Sequence, residues 1–111
     1  MTTPTRTQAD ALPSKIDKIV DPINQLITKK QFDNWVIIVE SVLEQNDLDS
    51  LIDKDLPHPD EKHTKFAIWK KASKQVKTWL LSHLGNDIMD ELRTSGLDLT
   101  YADSVLEPFE L

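Results

Sequence analysis

At 111 residues, 39% hydrophobic and 29% charged, the chain has room for one domain with a modest core and none for a second. The formal net charge of −6 works against a nucleic-acid surface as the main function. The absence of cysteine excludes disulfides and thiolate metal sites, and two glycines in the whole chain argue against phosphate-cradling loops and tight hairpins.

In chain order, residues 1–13 are Thr- and Pro-rich, with nothing to bury, and read as a disordered tail that is no secretory signal. Ser14 to Val20 suggests a weak helical turn. Asp21 as N-cap and Pro22 at the first helical position then predict a short helix with Ile23, Leu26 and Ile27 on its apolar stripe. The clearest element is a helix over about 30–45, where Phe32, Trp35, Val36, Val39, Val42 and Leu43 follow the spacing of one buried face. Ile37 and Ile38 extend its apolar surface beyond that stripe, which predicts either packing on two sides or an assembly surface.

Asn46–Asp47 is read as the cap of a short third helix carrying Leu48, Leu51 and Ile52. Pro57 and Pro59 around His58 then force a loop. The longest helix is predicted from residue 61 or 62 to 84, with Phe66, Trp69, Val76, Leu80 and Leu84 inward and Lys65, Lys70, Lys71, Lys74 and Lys77 along the solvated flank. Gly85 breaks it, Asn86 is placed as the cap of a fifth helix with Ile88, Met89 and Leu92, and Gly96 fits the position after its end. Thr100 to Asp103 has the spacing of a capping box for a short sixth helix. The fold expected is all-α, a small orthogonal bundle of about five to six helices over residues 14–111. Its core anchors would be Phe32, Trp35, Val39, Leu43, Trp69, Val76 and Leu80.

Charge alternates along the chain. Residues 47–61 hold six acids against Lys54, residues 62–86 six lysines and no acid, and residues 87–111 seven acids against Arg93. Electrostatic compensation between neighbouring elements or subunits explains this more simply than a polyanion surface does. Trp69 and Trp79 project about 80° apart on the helix, both near the apolar sector, so they read as core residues and not as base-stacking platforms. Weak, salt-dependent RNA contact by the five lysines is the remaining nucleic-acid reading.

Chemical motifs are scarce. His58 and His63 with Asp60 and Glu61 match no zinc spacing, and half of that set lies in the Pro-rich loop. A calcium loop started at Asp47 meets Leu51 and Ile52 where an acid and a glycine are required. No nucleophile elbow or catalytic triad stands out, so no enzyme, cofactor or metal is expected.

The series Leu26, Phe32-x-x-Trp35, Val42-Leu43, Leu48, Leu51-Ile52-Asp53, Pro57, Trp69, Ser73, Val76, Trp79-Leu80, closed by Tyr101-Ala102-Asp103, resembles the N-terminal part of Gag polyproteins of Copia-type LTR retrotransposons, in a form associated with fungal members. The likeness covers about residues 22–106 and rests on short hydrophobic anchors. It implies a helical, capsid-forming segment that associates with itself around element RNA. The cysteine knuckle that binds RNA in such polyproteins is missing, and the chain stops before the family's helical region would end. The expectation is therefore a non-enzymatic structural protein, a fragment, a degenerate copy or a host-adopted remnant, whose partner is another copy of itself. The alternative is a small adaptor binding a host protein through the same surface.

Overall fold

The fold is known from a computed structural model that describes residues 6–10, 12–13, 23–53, 55–95 and 101–106. It is all-α: among the described residues there are four α-helices, α1 (Phe32–Gln45), α2 (Phe66–Ser82), α3 (Asn86–Thr94) and α4 (Ala102–Leu106), with 3-10 turns at Lys29–Gln31 and Asp49–Ile52. This is fewer helices than the five to six expected, and the differences have local causes.

α1 forms where the apolar period is strongest, and Phe32, Trp35, Val39 and Leu43 bury its inner face. The Gln31 side-chain oxygen secures its start, accepting the N–H groups of Ile27 and Thr28 at 3.1 and 3.3 Å. Its end is a Schellman turn. Asp47 takes a left-handed φ of 59°, the Leu48 N–H reaches the Leu43 carbonyl at 2.8 Å, and the Asp47 N–H reaches Glu44 at 3.1 Å. Asn46–Asp47 thus closes α1 and does not cap a third helix. Leu48 and Leu51 still drop into the core, but the segment holding them is a 3-10 turn.

The helix expected after Pro22 is not formed over residues 23–28. Leu26 instead makes an isolated parallel bridge to Leu84: its N–H donates to the His83 carbonyl and its own carbonyl accepts the Gly85 N–H, both at 2.8 Å. A chain with both backbone groups so engaged cannot also close helical hydrogen bonds there. The Trp35 indole N–H holds the same segment by donating to the Asn24 carbonyl at 3.0 Å. Gly85 is the N-cap of α3, one residue ahead of the Asn86 expected, and it sits tightly: a Cβ there would lie 3.2 Å from both the Leu26 carbonyl oxygen and the Ile27 side chain.

α2 begins later than expected because Asp60 turns the chain, its carboxylate accepting the Lys62 N–H at 2.8 Å and its carbonyl the His63 N–H at 2.8 Å. α4 packs on α2, where the buried Ser73 hydroxyl accepts the Ala102 N–H at 3.0 Å. All seven expected core anchors are buried, in one cluster that also takes in Leu26, Leu48, Leu51, Ile88, Leu92 and Val105. Each such apolar side chain stabilises by about 1.5–3 kcal/mol relative to exposure. The predicted turn at Ser14–Val20, the Asp21–Pro22 helix start, Gly96, and Thr100 of the capping box lie outside the described residues.

Residues 6–10 and 12–13 are not the free tail that composition suggested. Gln8, Ala9 and Leu12 are buried in the body of the protein. Thr7 and Asp10 close a local turn, the Asp10 carboxylate accepting the Thr7 N–H at 2.6 Å, and this presents Ala9 and Leu12 to the core.

Candidate functional site

The outer face of α1 is the first region with functional content. Ile37 is 59% exposed and Ile38 44%, although the opposite side of the same helix is fully packed. The uncharged Asn34, Ser41 and Gln45, all exposed, lie between these two around the helix. Beside Ile37 run three exposed carboxylates, Asp33, Glu40 and Glu44. Among the described residues, Ile27 is the other large apolar side chain in the open, at 51%. The sequence put it on an apolar stripe that the bridge at Leu26 prevents from forming.

The lysines of the second expected surface separate into two groups. Lys70, Lys71 and Lys74 are exposed on the outer side of α2, and none makes an ion pair among the described residues. Lys77 is half-buried beside them. Lys65 lies ahead of the helix, where its ammonium donates to the Leu12 carbonyl at 2.8 Å and fastens the N-terminal segment. It is a structural contact and leaves the list of surface cations.

A third region was missed in the sequence. The buried Gln8 is a hub: its N–H donates to the Pro57 carbonyl at 3.0 Å, and its carbonyl accepts the Ser50 hydroxyl at 2.9 Å. Its amide nitrogen donates to the Asp53 carbonyl and to Asp103 Oδ2, both at 3.2 Å, and its amide oxygen accepts the Trp69 indole N–H at 3.1 Å. Asp103 Oδ2 also meets His58 Nε2 at 2.7 Å, while Oδ1 is buried with no hydrogen-bond partner among the described residues. The His58 ring packs against Trp69 and Tyr101, with centroids 4.9 and 5.0 Å away. A second His–Asp pair, His63 Nε2 to Asp10 Oδ1 at 3.0 Å, ties the 57–65 loop to the N-terminal segment. Hydrogen bonds from the Thr7 N–H and then from His63 hold the Asp10 carboxyl at about 2. This network is a clasp that binds the N-terminal segment, the Pro-rich loop, α2 and α4 together.

The three histidines therefore serve separate places, with His83 against Trp79 at 5.4 Å. Among the described residues no three His, Asp or Glu side chains converge as metal ligands. A shallow depression lined by Lys29, Asp90, Glu91, Thr94 and Ser95 carries both signs of charge and contains the exposed Lys29–Glu91 ion pair at 3.1 Å. No helix among the described residues is long and apolar enough to cross a membrane. No family model, curated protein or solved structure matches this chain.

Proposed function

We propose that the chain is a non-enzymatic structural protein that associates with copies of itself through the outer face of α1, in the manner expected of a Copia-type Gag helical segment. The observation that carries this reading is the exposure of Ile37 and Ile38 on a helix whose core contacts are already complete. Two neighbouring β-branched side chains held in water by a well-packed helix gain by being covered, at about 25 cal/mol for each Å² removed from solvent. The Gag resemblance supports the same conclusion from the spacing of Phe32, Trp35 and the later anchors.

Sedimentation velocity over a wide concentration range tests it. The wild-type chain should associate as concentration rises, and Ile37→Ser with Ile38→Ser should weaken that association while leaving the thermal unfolding midpoint nearly unchanged. A wild-type chain that stays monomeric at high micromolar concentration overturns the reading, and so does a double variant that associates as well as the parent.

A further inference from the structure

We infer that the partner of the α1 face is the α2 face of another copy, so that the chains join head to tail. The inference rests on the self-association reading above and assigns the second half of the contact. On α1, Asp33, Glu40 and Glu44 fall within about 40° of one another around the helix, with Ile37 about 20° beyond Glu44. They span about 16 Å along the axis. On α2, Lys70, Lys71 and Lys74 lie within about 100° of one another and are flanked by the exposed Ala67 and Thr78. None of these six charged side chains is in an ion pair among the described residues. The inner faces of both helices are buried in one common core, so the two outer faces point away from it and are free to meet neighbours.

Charge decides between the ways two copies can meet. Docking α1 on α1 brings two sets of Asp33, Glu40 and Glu44 around a small apolar patch, and docking α2 on α2 opposes two sets of lysines. Like-charge juxtaposition of this kind is penalised. Docking α1 on α2 opposes three carboxylates with three ammonium groups. The aliphatic lysine stems then supply apolar surface on which Ile37 and Ile38 can rest. Such a contact is heterologous: each copy keeps one unused face, so growth continues into a ring or a filament and does not stop at a dimer.

Charge reversal tests the assignment on the full chain after nuclease treatment, by sedimentation velocity at about 50 and about 500 mM salt, between which the Debye length drops from roughly 14 to roughly 4 Å. Wild type should form species larger than dimers at low salt and lose them at high salt. Glu40→Lys with Glu44→Lys, and separately Lys70→Glu with Lys74→Glu, should each weaken self-affinity about tenfold or more. An equimolar mixture of the two variants should assemble again, as should one chain carrying all four changes, which also shows that the substituted proteins are folded. Assembly that ignores salt, or a Lys70→Glu/Lys74→Glu chain that assembles like the parent, overturns the head-to-tail contact and leaves self-association through α1 standing. A wild type monomeric at both salts removes both. If nuclease treatment itself dissolves the assembly, the lysine face belongs to nucleic acid, and the inference fails.

Discussion

The α1 side of the molecule and the clasp around Gln8 reach the same degree of burial by different means. Phe32, Trp35, Val39 and Leu43 hold α1 by apolar packing, which is non-directional and scales with buried area. Around Gln8, five hydrogen bonds bring together segments separated by 42 to 95 residues, and their distances and donor–acceptor polarity must all be satisfied at once. Packing tolerates a change of shape better than a change of polarity, while a buried network tolerates neither loss nor exchange of a partner. The division also fits the proposed roles: the face meant for a partner lies on the helix whose inner side is held by apolar packing, and the polar network fastens the N-terminal segment and the Pro-rich loop to α2 and α4.

The difference can be broken by volume-conserving substitutions. Leu43→Ala should destabilise by about 3 kcal/mol through lost contacts and a cavity, whereas Leu43→Met should cost about 1 kcal/mol because the volume is kept. Gln8→Met keeps the volume too, but it strands the Trp69 indole N–H and removes a donor from Asp103, so about 2–3 kcal/mol should be lost. Denaturant titration measures all three. A Gln8→Met chain no less stable than Leu43→Met would show that the clasp is packing with incidental hydrogen bonds. The junction of the two regions is the next largest effect. Gly85→Ala presses a methyl group against the Leu26 carbonyl and should cost about 1 kcal/mol, a fall of about 4–8 °C in melting temperature for a domain of this size. An unchanged midpoint would mean that the Leu26–Leu84 bridge yields freely.

What the sequence made legible follows the same divide. α1 and α2 could be read because their apolar residues recur with the helical period, and Ile37 and Ile38 stood out as the surplus beyond that period. Gln8 could not be read, since a single glutamine in a Thr- and Pro-rich stretch has no period and its partners lie far along the chain. The turn that carries this stretch toward the core is local, Thr7 and Asp10 three apart with Ala9 and Leu12 beside them, but four residues are too short to show a period. Asp47 misled because aspartate is good both before a helix and in the left-handed position after one, and Leu48 decided the matter by packing as the residue beyond a Schellman turn. The helix expected over Ile23, Leu26 and Ile27 gave way for a different reason: the long-range bridge at Leu26 takes the backbone groups that a local helix would need. Ser73 stood in the sequence only as one position of the Gag resemblance, with no role attached, and its value lies in the Ala102 N–H that α4 brings to it.

The smallest effect, and the one most specific to the clasp, is the titration of Asp10. Its folded-state pKa of about 2 lies below the ordinary 3.8, so its contribution is complete above about pH 4 and disappears as the pH falls toward 2. The group is exposed, so the consequence is local: the turn at Thr7 and the link to His63 should loosen before the core responds. Other carboxylates titrate in the same range, and Asp10→Asn separates them, because its stability difference from wild type should be present at pH 5 and vanish near pH 2. Following the Thr7 and Ala9 amide shifts by NMR should give a wild-type midpoint near 2 that the variant lacks. A midpoint close to 3.8 would mean that Asp10 holds neither the Thr7 N–H nor His63 in solution. The N-terminal segment would then depend on Gln8, Lys65 and the burial of Ala9 and Leu12 alone.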